Sequence, residues 1–250
     1  MKAFNKVAQV TILFWLMKIV ATTLGETLGD FVAITLNLGY TIGMVVTLLF
    51  FIVVILIQLK AEKYIPVIYW LAIAGTTTLG TEISDFIDRT LNTGYFFGSL
   101  LLISGLLLTL FLWYRKYDTL EVYPIFERKK ETYYWVAILF SNSLGTAFGD
   151  LLSDNLGLGY LTGAIITGAI ILIVVLLHYF TKSNHVLLFW IAFVFTRPFG
   201  ATFGDLLTKS VAKGGLNLGT LNASLVSLAL LFLMIVLSHK KQSRELGFQK

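Results

Sequence analysis

The chain lacks cysteine altogether and is poor in charge, and both shortages narrow what it can do. None of its 250 residues is cysteine, which excludes disulfides, thiolate nucleophiles and thiolate metal sites. Only 13% of the residues are charged, about half the share in a typical soluble domain. The sequence contains no Ser-His-Asp set, zinc motif, P-loop or Rossmann fingerprint. We therefore expect no enzyme, no resident cofactor and no nucleic-acid partner.

Hydrophobic residues make up 57% of the chain and fall into runs separated by short polar links. A bilayer core of ~30 Å needs about 20 apolar residues in a helix to cross it. The runs predict an all-α membrane protein with eight transmembrane helices. The predicted spans are 7–29, 40–59, 66–86, 94–114, 133–151, 158–180, 186–207 and 217–238.

Lysine and arginine are concentrated on one side of this predicted topology. Fourteen of the nineteen lie in the terminal segments or in the links 60–63, 114–131 and 181–184. By the positive-inside rule, both termini are cytoplasmic. We expect a multi-pass protein of the bacterial cytoplasmic (inner) membrane, with the lipid bilayer as its partner and no requirement for an oligomer.

One short motif, two small residues four apart followed by aspartate, occurs four times. The aspartates are Asp30, Asp85, Asp150 and Asp205. The first two and the last two are each 55 residues apart, and corresponding members of the two pairs are 120 apart. This spacing predicts four two-helix repeats of one orientation in two duplicated halves. The halves are 1–113 and 132–250, joined by a basic cytoplasmic linker at 114–131.

The small residues of the motif share one face of each odd-numbered helix, because residues four apart lie above one another. Small residues let helix backbones approach closely in a membrane, so we expect helix packing there. The set is Gly25, Gly29, Gly80, Ser84, Gly145, Gly149, Gly200 and Gly204.

Carboxylates at one register of every repeat indicate a cation site. An Asp at membrane depth costs a few kcal/mol and is rarely kept for packing alone. Oxygen ligands without cysteine suit hard cations such as Mn²⁺, Ca²⁺, Mg²⁺ or Na⁺. The alternative is that each Asp ends its helix at the interface as an exposed cap. The expected ligands are Glu26, Asp30, Glu82, Asp85, Asp150 and Asp205.

Two cations lie within predicted spans, each eight residues before an acid. Lys18 precedes Glu26, and Arg197 precedes Asp205. A buried cation needs a partner, so we expect both to be internal counter-ions of the acidic site. The alternative is a long side chain that snorkels to the lipid headgroups.

Thr22-Thr-Leu-Gly-Glu26-Thr-Leu-Gly-Asp30 resembles, together with 196–205 and 214–220, a bacterial family of uncharacterised multi-pass membrane-anchored proteins. The resemblance implies topology and no established activity. The segment from Glu26 to Asp30 is also similar to the Glu-x-Gly-Asp signature of manganese and calcium/proton exchangers. It differs by one extra residue before Gly29 and lacks a basic residue after Asp30, so the similarity is one of chemistry.

These features favour a secondary transporter of a hard cation, an antiporter exporting a Mn²⁺-like divalent ion in exchange for protons. Carboxylates near one another bind protons more tightly, which suits exchange. The main alternative is a cation channel, since four equivalent units around one axis form a pseudo-tetrameric pore with an acidic ring. The sequence lacks the partner motifs of an intramembrane aspartyl protease. It neither supports nor opposes a role as a sensor or assembly factor.

Overall fold

A computed structural model of the protein describes residues 4–182 and 184–247, with their side chains except those of 153–154 and 239–247. Within these residues there are eight long α-helices and no β-strand. The helices are α1 Ile12–Asp30, α2 Gly39–Lys60, α3 Pro66–Asp85, α4 Tyr95–Tyr117, α5 Arg128–Asp150, α6 Tyr160–Phe180, α7 His185–Thr208 and α8 Thr220–Gly247. The outermost residues of the two terminal basic segments, 1–3 and 248–250, lie outside the described part of the chain.

Capping residues set where several helices begin. The Thr11 side chain accepts a hydrogen bond from the Phe14 backbone N–H, which satisfies a donor of the first turn of α1. The first helix therefore begins later than the predicted span, which started at residue 7. Pro66 opens α3, where its missing N–H costs nothing. Asn184 accepts from two backbone N–H groups at the start of α7.

The odd-numbered helices form a closed inner ring. α1 contacts α3 and α7, and α5 contacts the same two helices, so the order around the ring is α1, α3, α5, α7. The even-numbered helices lie outside, with α2 on α3, α4 on α5, α6 on α7 and α8 on α1. The second helix of each repeat thus packs on the first helix of the next repeat, and the last repeat closes on the first.

The outer helices present apolar side chains on most of their surface. In α2 the buried residues Gly43, Thr47, Phe51, Val54 and Gln58 lie on one narrow face, while large side chains elsewhere on this helix are exposed. The inner helices instead bury most of their polar groups inside the ring. An apolar exterior around a polar centre is the arrangement of a protein surrounded by lipid.

Six of the described helices are long and apolar enough to cross a membrane: α1 with the turn that follows it, α2, α4, α6, α7 and α8 up to Ser238. The other two, α3 and α5, belong to the inner ring and carry more polar residues. α3 contains the buried run Thr76–Thr78, and α5 begins with Arg128, Lys129, Lys130 and Glu131. The chain is thus a multi-pass membrane protein.

The connection between the two halves is shorter than the predicted linker 114–131 and is packed against the bundle. Because α4 continues to Tyr117 and α5 begins at Arg128, only residues 118–127 lie outside helices. Ile125 is fully buried, and its carbonyl accepts a hydrogen bond from the Lys6 backbone N–H. This end of the bundle, which holds the described start of the chain, is called the termini end below; the opposite end, where the motif aspartates lie, is the motif end.

An aromatic layer closes the inner ring toward the termini end. Each repeat supplies an aromatic residue sixteen positions before its motif aspartate, followed by a tryptophan. The layer consists of Phe14, Tyr69, Tyr134 and Phe189, all buried. The hydroxyl groups of Tyr69 and Tyr134 hydrogen-bond to each other, and the rings of Phe14 and Phe189 are 6.3 Å apart. Rings this large leave little room along the axis.

Candidate functional site

The motif glycines lie where neighbouring inner helices approach most closely. A Cβ built on Gly25 would lie 2.8 Å from the backbone carbonyl carbon of Thr77 in α3, and one on Gly200 would lie 2.9 Å from that of Thr22 in α1. A Cβ on Gly80 would meet the backbone of α5 at 3.0 Å, and one on Gly145 would meet the side chains of Arg197 and Pro198 in α7. The first small residue of each repeat thus faces the inner helix of the next repeat.

The second small residue lies one turn further toward the motif end. A Cβ on Gly29 would be 3.1 Å from Thr81, one on Gly149 would be 3.3 Å from Ala201, and one on Gly204 would be 3.0 Å from Glu26. In the second repeat this residue is the buried Ser84, whose hydroxyl donates to Asp88 at 3.2 Å. Close packing at these two levels brings the residues that follow toward the interior of the ring.

The four motif aspartates are all buried, each with 4–6% of its surface exposed. In the first three repeats the α-helix ends at this aspartate and continues as a π-helical turn, Phe31–Thr35, Phe86–Thr90 or Leu151–Asn155. Such turns are rare and occur frequently at functional sites. In the fourth repeat α7 runs on to Thr208. The expectation of an exposed helix cap does not describe these buried side chains.

Two cations join the aspartates in pairs. Arg89 contacts Asp85 at 3.0 Å and Asp150 at 3.1 Å. Lys209 contacts Asp30 at 2.6 Å and Asp205 at 3.0 Å. Each cation follows the aspartate of its own repeat by four residues and bridges it to the aspartate of the next. The four motif aspartates therefore form two bridged pairs, which are related by a pseudo-two-fold axis.

Arg197 lies inside the ring and is fully buried. Its guanidinium donates to Glu26 at 2.8 Å, to the Thr22 carbonyl at 3.3 Å and to the Thr81 hydroxyl. Because Thr81 is on α3, opposite α7 in the ring, the side chain reaches across the centre. The partner expected from sequence was Asp205; the structure places Glu26 against this arginine instead.

Lys18 is also fully buried and crosses the ring one turn closer to the aromatic layer. Its ammonium donates to the Asn142 side chain of the opposite helix α5 at 2.7 Å and lies 4.1 Å from the centre of the Phe193 ring. The Asn142 amide in turn donates to Thr76 at 3.0 Å. The expected partner was Glu26, but the amide oxygen and the aromatic ring stabilise this charge in its place.

Three of the six predicted ligands meet in one corner of the ring. Carboxylate oxygens of Glu26, Asp30 and Asp205 lie within 4.8 Å of one another, so one ion could touch all three. With Lys209 these residues form what we call the Lys209 corner. The related corner holds Asp85, Asp150 and Arg89 and is called the Arg89 corner.

Glu82 lies apart from both corners. It is fully buried on the side of α3 that faces α2, where a Cβ on Gly43 would be 2.8 Å from one of its carboxylate oxygens. Within the described part of the chain neither oxygen has a hydrogen-bond partner. A buried carboxyl without partners is strongly disfavoured in its charged form. Glu82 is thus not part of the group of three carboxylates formed by Glu26, Asp30 and Asp205.

Sequence reasoning missed the two bridging cations. Arg89 and Lys209 each follow a motif aspartate by four residues, in alternate repeats, and neither was among the predicted site residues. Tyr40 also contacts one of these cations: its hydroxyl accepts a hydrogen bond from Arg89 at 3.2 Å. Alignment of the repeats at the aspartate would have revealed the cations, because the same offset recurs 120 residues later.

The four units of the structure correspond to four matches with one family. The sequence profile described as "Repeat of Unknown Function (DUF347)" matches residues 13–64, 68–118, 133–184 and 188–243. The chain belongs to this family. Each DUF347 repeat contains one inner helix and the outer helix that follows it. No curated protein and no solved structure matches the chain.

Proposed function

We propose that this DUF347 protein is a secondary transporter that moves a hard, divalent cation such as Mn²⁺ across the membrane in exchange for protons. The observation that carries the proposal is the buried corner in which three carboxylates lie within 4.8 Å of one another. Such oxygen ligands match the preference of Mn²⁺, Mg²⁺ and Ca²⁺. The faint similarity to the signature of manganese and calcium/proton exchangers agrees with this chemistry.

The charges of this corner support a cationic cargo. Its three carboxylates face two cations, Lys209 and Arg197. If all five groups are ionised, one negative charge remains uncompensated. The corner therefore attracts a cation rather than an anion.

Side chains that fill the axis of the inner ring favour a transporter over the pseudo-tetrameric channel. Lys18 and Arg197 both reach across the ring, at a level between the motif aspartates and the aromatic layer. A cation moving straight down the axis would have to pass two fixed positive charges and four aromatic rings. A transporter instead binds its ion at one end and opens the other end only after a rearrangement.

The proposal includes eight membrane crossings, since α3 and α5 lie within a ring whose surrounding helices are apolar. Their polar groups contact protein rather than lipid, so low hydropathy does not prevent them from crossing. By the charge distribution, both termini lie in the cytoplasm and the acidic corners face the opposite side. We assign the protein to the bacterial cytoplasmic membrane on the same grounds.

Transport by purified protein in liposomes tests this function. When a panel of ions is tested, liposomes with the wild-type protein should accumulate Mn²⁺ in preference to the others. The rate of Mn²⁺ uptake should depend on an imposed pH gradient. Asp30→Asn keeps the side-chain volume and removes one ligand charge, so it should abolish transport. The matched control is His178→Ala, because His178 is exposed at the termini end. Wild-type transport by the Asp30→Asn variant would contradict the proposal, and fast flux without coupling would favour the channel.

A further inference from the structure

The two corners of the ring are related by symmetry but differ in chemistry. Glu26 precedes Asp30 by four residues, and the residue at this position before Asp150 is Thr146. Among the side chains that the structure describes, the Lys209 corner therefore has three carboxylates and the Arg89 corner has two. The bridging cation differs as well, a lysine in one corner and an arginine in the other.

Arg89 is held by more than its two aspartates. Its guanidinium also donates to the Tyr40 hydroxyl at 3.2 Å and lies 5.6 Å and 5.8 Å from the centres of the Tyr40 and Tyr95 rings. A planar guanidinium suits bidentate and stacking contacts of this kind. These contacts fix Arg89 as a structural clamp between the second and third repeats.

Lys209 is held by fewer described side chains than Arg89 is. Its ammonium donates to Asp30 at 2.6 Å. It lies 3.0 Å from Asp205 Oδ1, but the direction of this contact does not form a hydrogen bond. Oδ1 is a buried acceptor that has no hydrogen-bond partner among the residues that the structure describes. The lysine side chain is 26% exposed, so it has a path out of the corner toward the motif end.

We propose that Lys209 is a tethered substitute for the transported cation. This inference rests on the proposed function. In the empty protein the ammonium neutralises Asp30 and Asp205; an incoming ion takes its place on both carboxylates and on Glu26, and the lysine side chain swings toward solvent. The exchangeable ion therefore binds in the Lys209 corner alone, and the Arg89 corner stays closed.

Displacement of Lys209 also selects the charge of the cargo. Once the lysine has left, the corner holds three carboxylates, and Arg197 compensates one of them through Glu26 at 2.8 Å. Two negative charges then remain for the ion. A divalent cation neutralises both, whereas Na⁺ leaves one buried and uncompensated, which is costly in a low-dielectric interior.

Chemical labelling of the wild-type protein tests the displacement directly. Purified protein in detergent is treated with an amine-acetylating reagent, with and without Mn²⁺, and modification is measured by mass spectrometry. Acetylation of Lys209 should rise several-fold with Mn²⁺. Acetylation of Lys213, an exposed residue of the same connection, should not change and serves as the internal control.

A binding measurement with a matched pair of variants provides a second readout. Lys209→Gln removes the competing charge and should tighten Mn²⁺ binding by about tenfold, since a partly exposed ion pair is worth on the order of 1 kcal/mol. Lys209→Arg keeps the charge and should bind Mn²⁺ no more tightly than wild type. Calorimetric titration of Mn²⁺ into each protein gives the affinities.

The outcomes separate this inference from the function on which it rests. If wild type binds Mn²⁺ but Lys209 acetylation does not rise, or if Lys209→Gln binds no more tightly, the displacement is wrong and the transporter proposal stands. If neither wild type nor Lys209→Gln binds Mn²⁺, the proposed function fails and the inference fails with it. The labelling result requires no variant, so a Lys209→Gln protein that does not fold leaves the test intact.

Discussion

Replacement of Gly25 by alanine tests whether close packing of the inner ring positions the acids. A Cβ at this position would lie 2.4 Å from the Cβ of Thr77 and 2.8 Å from its backbone carbonyl carbon, whereas ordinary contact begins at 3.4 Å. Rotation of the Thr77 side chain moves neither of these atoms. α1 and α3 must therefore separate by about 1.0 Å, the difference between 3.4 Å and the shorter of the two distances.

Overpacking of this kind typically costs about 1–3 kcal/mol. For a chain of this size each kcal/mol lowers the midpoint of thermal unfolding by roughly 2–4 °C. We expect Gly25→Ala to lower the apparent midpoint by several degrees, measured by intrinsic fluorescence in detergent at one heating rate. Transport should fall as well, because Glu26 and Asp30 follow Gly25 on the helix that is displaced.

Gly168→Ala is the matched control. Gly168 lies within α6, and a Cβ there would meet only the ring of Phe199 at 3.3 Å, which is free to move slightly. Both substitutions gain the same helix propensity, up to about 1 kcal/mol, so the difference between them isolates the clash. If Gly25→Ala unfolds at the same temperature as wild type and Gly168→Ala, close packing at the motif glycines is not what holds the ring.

Other substitutions test the buried contacts and the topology. Arg197→Met should destabilise the protein by about 3–5 kcal/mol in thermal unfolding, because it leaves Glu26 buried without its cation; adding Glu26→Gln should restore part of the loss, and no recovery would argue against the pairing. Tyr134→Phe removes one hydroxyl from the aromatic layer and should cost about 1 kcal/mol in the same assay; an unchanged midpoint would mean that the hydroxyl pair contributes nothing. The chain has no cysteine, so Lys129→Cys and Lys213→Cys can each be labelled selectively, and an impermeant reagent outside the cell should reach only the second. Labelling of the first alone would reverse the predicted orientation.

The helical class and the four repeats could be predicted because both depend on local pattern. Runs of apolar residues predict helices by length, and the motif that ends at Asp30 recurs with constant spacing. The family match at four stretches and the eight helices confirm this level of the prediction. The order of packing could not be predicted, because no local signal states that α2 lies on α3 rather than on α1.

The partners of the buried charges were harder to predict for the same reason. Lys18 and Arg197 were paired with acids by their distance along the chain, but their contacts run across the ring to other helices. Glu82 belongs to the same motif as Asp85, but it lies three residues earlier, which is about 60° around the helix and faces α2. Which charges meet depends on the angular position of each side chain around a closed ring.

A simultaneous measurement of Mn²⁺ and proton flux tests the central claim most directly. Liposomes that contain the wild-type protein and an internal pH indicator are given an inward Mn²⁺ gradient, with the membrane potential clamped. We predict that Mn²⁺ enters and that the interior becomes more alkaline as protons leave. The Asp30→Asn variant should produce neither change. Mn²⁺ entry without a change in internal pH, or equal fluxes in the variant, would contradict a carboxylate site that exchanges a divalent cation for protons.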